Sequence, residues 1–304
     1  MSDRFAPHLA LLAVQILFGI WPIFGKVVLR SMSSTSLVAL RITGAALALA
    51  LLQRRLTPLF RMPVKDIVLL VACSLLGIVG NQFLFVKGLS LTTVINAEIL
   101  STTIPVYALT ISILLGYERS SVKSVGGMLI AVAGVMYLIN PLRADLTTQT
   151  TTGNILILIN SFLYAIFIVI SKTLYERYGA LNVITWIFVV GLLITIPVGI
   201  YSVQQENLAA IDATVWVALG FIILLPTVGA YYLNAYALTR VSPSTVAIYI
   251  YLQPLIAFGF APILLGEQWN YRTIVAALLI FIGVALVTTN KDNRAVHVSA
   301  SLGG

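Results

Sequence analysis

Residues 80 to 140 return, without a gap, 149 positions further along the chain. Gly80, Leu84, Leu89, Ile99, Pro105, Ala108, Glu118, Leu129 and Gly134 reappear as Gly229, Leu233, Leu238, Ile248, Pro254, Ala257, Glu267, Leu278 and Gly283. The repeated segment is almost wholly apolar, so the duplicated element is a membrane unit. Each copy carries a proline in the middle of an equivalent hydrophobic stretch. Duplicated apolar halves with matched helix-breaking residues suit a solute carrier; a simple membrane anchor has no use for them.

Of the 304 residues, 60% are hydrophobic and 9% charged, at a mean hydropathy of +1.02. A soluble globule carries about 45–50% apolar residues, so the bilayer is the solvent here. Ten stretches reach the roughly 20 apolar residues that a spanning helix needs: about 8–28, 35–53, 66–86, 93–116, 122–140, 154–174, 181–203, 212–233, 242–265 and 271–290. No soluble domain is left over.

The net charge of +8 does not point to nucleic acid, because the basic residues follow the loops and form no aromatic-interleaved patch. With a cytoplasmic N-terminus, twelve of them, including Arg54, Arg55, Arg61, Lys172 and Arg240, fall on the inner side. Lys26, Arg30, Lys87, Arg143 and Arg272 fall outside, and Arg41 lies within a span. This asymmetry satisfies the positive-inside rule and puts both termini in the cytoplasm. The first apolar stretch holds Trp21, Pro22 and Lys26 with no cleavage signature behind it, so it reads as a retained helix. Cys73, the only cysteine, excludes a disulfide and a thiolate metal site.

The longest polar break, Asn140 to Gly153, falls between the fifth and sixth stretches. Two equivalent halves of five spans each must then lie in opposite orientation, since five is odd. The expected fold is an all-α polytopic membrane protein: ten transmembrane helices in two inverted five-helix repeats, 8–140 and 154–290. A loop at 141–153 joins them and a cytoplasmic tail follows at 291–304. The first helix of each half aligns more weakly, Trp21, Gly25 and Lys26 matching Phe167, Ser171 and Lys172. Small residues in the fifth and tenth stretches, Gly126, Gly127, Ala131 and Gly134 with Ala276, Ala277 and Gly283, read as close helix packing.

Pro105 and Pro254 are the expected hinges: each removes an amide and frees the carbonyl four residues earlier, at Ser101 and Ile250. Such a matched pair at midplane marks where a solute binds. Glu98, Ser101, Thr102 and Pro105 share one helical face, and Ile250, Tyr251 and Pro254 share its counterpart, flanked by Tyr249 and Gln253. Thr227, Tyr231 and Asn234 face inward from the eighth span; Asn81, Gln82 and Phe85 do so from the third. Gln15, Gly19, Trp21 and Pro22 line the first, and Asn160, Tyr164 and Phe167 the sixth. The substrate-binding candidates are Gln15, Trp21, Asn81, Gln82, Thr102, Tyr164, Thr227, Tyr231, Asn234, Tyr251 and Gln253. Aromatic walls with neutral hydrogen-bonding groups suit a zwitterionic or modestly amphiphilic small molecule; a phosphorylated solute would want paired Lys or Arg at midplane. Glu98 and Arg41 are the candidate coupling or gate residues, since an unpaired carboxylate in a span is costly. Glu98 could instead be fixed in an ion pair with Arg41 or Lys87. Glu118 and Glu267 follow a glycine near a span end and read as helix-terminus residues.

In their order and spacing these features resemble the drug/metabolite transporter superfamily, specifically tandem EamA-type domains. The resemblance rests on Gly88 to Thr92 echoed by Ala237 to Val241, the prolines Pro105 and Pro254, and the Leu-Gly-(x)-Glu elements at Leu115 to Glu118 and Leu265 to Glu267. It covers nearly the whole chain, which departs from the common pattern at Tyr117 and Glu98. It implies a secondary transporter with a central cavity lined by spans one, three, four, six, eight and nine, with five and ten at the back. Many such bacterial proteins export amino acids or related metabolites.

The expected activity is therefore export of amino acids or related small metabolites across an inner membrane, by alternating access and without ATP. A drug or other metabolite carrier of the same fold, in either direction, is the alternative; a membrane protein that transports nothing is a second. His8 and His297 are the only histidines and sit near the termini, and no Gly-x-Ser-x-Gly element or nucleotide loop occurs, so no enzyme, metal or cofactor is expected. The expected partners are a small-molecule substrate and the bilayer, with proton coupling and a homodimer both compatible with the sequence.

Overall fold

The computed structural model describes residues 5–53, 58–116, 122–139 and 148–288. Among them there is no strand, and eight helical segments are long and apolar enough to cross a membrane. These are α1 (Ala6–Leu29), α2 (Ser34–Leu52), α3 (Val64–Leu91), α4 (Val94–Leu114), α6 (Gln149–Tyr178), α7 (Ala180–Gln204), α8 (Ala213–Leu238) and α9 (243–265). Two 18-residue apolar helices, α5 (Val122–Ile139) and α10 (Tyr271–Thr288), complete the set. Large apolar side chains cover the outside, among them Leu114, Leu193, Leu255 and Ile263, each more than 60% exposed. A surface this apolar belongs in lipid.

Local chemistry sets the helix ends. Ser33, Thr93, Thr148, Asp212 and Ser242 each accept a backbone N–H from the first turn of α2, α4, α6, α8 and α9, and Asn270 accepts that of Thr273 at 2.7 Å to start α10. Gly116, Gly179 and Gly266 end helices at φ of 75°, 81° and 70°, where a Cβ would be strained. Glu206, beyond α7, accepts the Ser33 amide at 2.9 Å. Its partial burial would raise the carboxyl pKa, but that amide and the Ser33 and Ser36 hydroxyls hold it below the ordinary value.

Several element boundaries differ from expectation. α6 starts at Gln149, so the last five residues of the expected 141–153 loop are helical. The extension is held by contact with α3: Gly88 and Gly153 let the backbones approach so closely that a Cβ on either would lie within 3 Å of the other's carbonyl. Thr92 also donates to Asn154 Oδ1 at 2.6 Å. α3 and α8 run five residues past their expected C-termini, to Leu91 and Leu238, and each contains a π-helical turn, at Leu75–Gly80 and Ile223–Gly229. The two turns occupy equivalent places in the repeat. Residues 140–147 and 289–304, with Tyr117 and Glu118, lie outside the described residues.

Helix pairing follows the repeat. α2 packs on α7, α4 on α9 and α5 on α10, each on its own equivalent. α1 packs on α8 and α9, and α6 packs on α3 and α4 in the same manner. The α5–α10 contact is reciprocal at atomic scale. A Cβ on Gly283 would meet the Gly127 carbonyl at 2.5 Å and the Ala131 amide at 2.4 Å. One on Gly134 would meet the Ala276 carbonyl and the Ile280 amide, each at 3.0 Å. These are the same positions one repeat apart.

Candidate functional site

The two proline-bearing helices break where they face each other. In α4 the helical hydrogen bonding lapses at Thr102 and Thr103 between Val94–Ser101 and Ile104–Leu114; in α9 a 3-10 turn occupies Tyr249–Tyr251, the equivalent place. The break thus comes before each proline. Pro105 sits in the first turn of the following segment, where its missing amide is best tolerated. The Ser101, Thr102 and Thr103 hydroxyls donate back to the carbonyls of Ala97, Ile99 and Leu100, so backbone acceptors at the break find donors within the helix.

A cavity lies at these breaks. Glu98, Ser101 and Ile104 of α4 line it, with Ile250 and Gln253 of α9, and Ser101 and Ile104 are the repeat partners of Ile250 and Gln253. The remaining walls are Phe18 and Trp21 of α1, Arg41 of α2, Asn81, Gln82 and Phe85 of α3, Asn160 and Tyr164 of α6, and Tyr231 of α8. Pro105 and Pro254 have no amide to offer Ser101 and Ile250, and both of those residues lie at the cavity.

The structure brings eight of the thirteen proposed binding, coupling and gate residues to the cavity wall: Trp21, Arg41, Asn81, Gln82, Glu98, Tyr164, Tyr231 and Gln253. Four others stand behind it. Gln15 accepts from Gln253 Nε2, Thr227 accepts Arg41 Nε at 2.8 Å while donating to the Ile222 carbonyl of the π turn, Asn234 donates to the Tyr164 hydroxyl at 3.0 Å, and Thr102 is spent on its own helix. Tyr251 turns away and packs edge-on against Phe281 of α10. The 3-10 turn changes the angular step along α9, so Ile250 takes the inward place. Phe85, Ser101, Asn160 and Ile250 had sequence signals as inward-facing positions. Phe18 and Ile104 did not, although Phe18 lies three residues from both Gln15 and Trp21 on the same helical face.

The two charged groups in the wall are treated differently. Arg41, 2% exposed, lies with its guanidinium 3.9 Å from the Trp21 ring centre and its Nε bonded to Thr227. A charge at a helix centre costs about 2.5–3.5 kcal/mol; a hydrogen bond to a charged group contributes about 1.5–3 kcal/mol and a desolvated cation–π contact about 2 kcal/mol, so Arg41 is compensated. Glu98 is equally buried and makes no ion pair; its Oε2 has no hydrogen-bond partner. The pairing with Arg41 or Lys87 considered from sequence does not form among the described residues. Gln82 is similar: it lies beside Tyr231, yet neither of its amide atoms makes a hydrogen bond of good geometry. Asn160 instead is fixed, donating to the Asn81 carbonyl at 2.7 Å, and the Tyr231 hydroxyl reaches Asn81 Oδ1 at 3.3 Å.

The helix ends around the cavity carry the remaining charge. Glu267 does cap a helix, but one in the other half: its carboxylate accepts the amides of Val94 and Ile95 at 2.7 and 3.1 Å, at the start of α4. Lys172 caps the other end of a helix, donating to the carbonyls of Leu238 and Val241 beyond α8 at 2.9 and 3.1 Å. Its counterpart Lys26 makes no such bond among the described residues and faces an opening with Arg30, Ser90 and Glu267.

A polytopic helical membrane protein with a polar cavity at paired helix breaks is the architecture of a solute transporter. The EamA-like transporter family model matches residues 6–140 and 151–289, and the chain belongs to that family. It is 27% identical to an uncharacterized transporter of Archaeoglobus fulgidus over 72% of this chain and 76% of that one. It is 24% identical to a probable terminal-alkyne amino-acid exporter of Streptantibioticus cattleyicolor over 84% of each. A crystal structure at 16% identity superposes with a TM-score of 0.64 over 94% of this chain and 98% of its own, a likeness of fold.

Proposed function

We propose that this protein exports amino acids or related small metabolites by alternating access, through ten spans arranged as two inverted repeats, 8–140 and 154–290. The observation that carries this reading is the meeting of the α4 and α9 breaks, at equivalent positions, in one polar and aromatic cavity. Helix pairing that survives exchange of the halves supports the inverted repeat. The relative from Streptantibioticus cattleyicolor favours amino-acid export. The inner membrane, cytoplasmic termini and proton coupling belong to the same proposal.

The test is exchange in proteoliposomes loaded with one amino acid at a time, with and without an imposed pH gradient. Saturable exchange is expected, and whatever exchange Glu98→Gln retains is expected not to depend on the gradient. Gradient dependence that persists in Glu98→Gln rules out coupling at this residue. Folded protein that exchanges no amino acid returns the assignment to a drug or other metabolite carrier, which the apolar walls at Phe18, Phe85 and Ile104 would serve.

A further inference from the structure

The helical scaffold is duplicated, but the charges of the cavity are not. The repeat partner of Glu98 is Ala247, which is fully buried. α2 and α7 begin at Ser34 and Ala180; carried along that spacing, Arg41 corresponds to Ile187, also fully buried. The second half therefore packs well with small or apolar residues at both positions, and helix packing does not require either charge. An acidic and a basic side chain line one cavity, yet they form no ion pair with each other among the described residues. Each keeps capacity in reserve. Glu98 Oε2 has no donor, and the terminal nitrogens of Arg41 have no acceptor among the described residues, its Nε being held by Thr227.

We infer that Glu98 and Arg41 grip the two ends of a zwitterion: the ammonium of an α-amino acid on Glu98 and its carboxylate on Arg41. This rests on the reading of the protein as an amino-acid exporter and assigns that solute's orientation. The chemistry narrows the class further. A buried carboxylate oxygen without a partner needs a hydrogen to accept as well as a positive charge, so the nitrogen must carry N–H. A quaternary ammonium has none, and the indole face of Trp21 that could have received one is already covered by Arg41. The planar guanidinium is held by its Nε and by the ring, which leaves its two terminal nitrogens to meet a carboxylate end-on. The unpartnered Gln82 amide offers one more donor and one more acceptor to the same head group. Phe18, Phe85 and Ile104 leave an apolar wall for the side chain.

The test uses the purified full-length protein in lipid nanodiscs. Thermal stabilisation is titrated with leucine, with 3-methylbutylamine and 4-methylpentanoate, which lack the carboxylate and the ammonium, and with N-trimethylleucine. Leucine is expected to bind at least about tenfold more tightly than each of the other three. Glu98→Gln should bring leucine and 4-methylpentanoate within about threefold of each other, and Arg41→Gln should do the same for leucine and 3-methylbutylamine. Glu98→Gln is isosteric at an unpaired site and should fold; if Arg41→Gln does not, the Glu98 arm decides. An undiminished preference for leucine over 4-methylpentanoate in Glu98→Gln overturns the inference, as does equal binding of leucine and N-trimethylleucine by the unaltered protein. Either result leaves amino-acid export standing if the exchange assay supports it, whereas absence of amino-acid exchange would remove the reading beneath both.

Discussion

At the scale of single residues, the tightest constraint lies where α5 meets α10. Gly283 lies against backbone atoms of α5, which cannot swing aside as a side chain could. Gly283→Ala should therefore destabilise the protein by about 1–3 kcal/mol, the usual cost of overpacking. Gly259 of α9, where an added Cβ would have nothing within 4 Å, serves as the control, and Gly259→Ala should melt at or slightly above the parent temperature because alanine favours a helix. Equal melting of the two variants would mean that the α5–α10 contact does not limit stability. Glycine at 134 and 283 was readable from the repeat as a packing residue. The partner atoms were not, because a small residue shows that something approaches closely without saying what.

Among the elements, α4 and α9 matter most, since both are interrupted at equivalent points. Proline in the sequence announced a discontinuity in each, but the actual break lies two to three residues earlier in α4, where threonine hydroxyls bond back to the helix, and three to five residues earlier in α9, where a 3-10 turn takes over. Pro105→Ala restores an amide that can bond Ser101 and let α4 run straight. Exchange should fall at least about tenfold in protein that remains folded. Pro197 lies inside the continuous helix α7 and does not line the cavity, so Pro197→Ala should change exchange little. Similar rates for the two variants would show that the α4 break is not needed for transport. The π turns of α3 and α8 were not anticipated. Their signal is the repeated glycine: Gly80 and Gly229 lie opposite the carbonyls of Leu75 and Leu224, five residues back in both cases, and such turns often occur at functional sites.

For the whole molecule, the two lysines give the clearest handle. Thr239 and Ser90 are repeat partners, one near the Lys172 end of the molecule and one beside Lys26. With Cys73 fully buried, a cysteine placed at either position can report accessibility against a quiet background. In the alternating reading, Lys172→Met frees the end of α8, so labelling of Thr239→Cys should speed up severalfold while labelling of Ser90→Cys slows. If both rates stay as they are, Lys172 is a cap and has no part in gating.

Some features of this protein follow from the chain itself. A bilayer demands long apolar runs and an internal hydrogen-bond partner for every amide, so the helices and the duplication could be read from residue order. The inward polar faces of α3, α4 and α6 were legible for the same reason, since polar side chains are poor choices against lipid. Tertiary structure alone decided which of those side chains reach the cavity and which stand behind it. Turns of π and 3-10 type alter the angular step of a helix, which moved Tyr251 to α10 and brought Ile250 inward. It also decided that Glu98 lacks a cation, that Arg41 is held by Trp21 and Thr227, and that Glu267 caps a helix of the opposite half. Each of these depends on how distant segments come together, and spacing along one helix carries no information about its partner across the bundle.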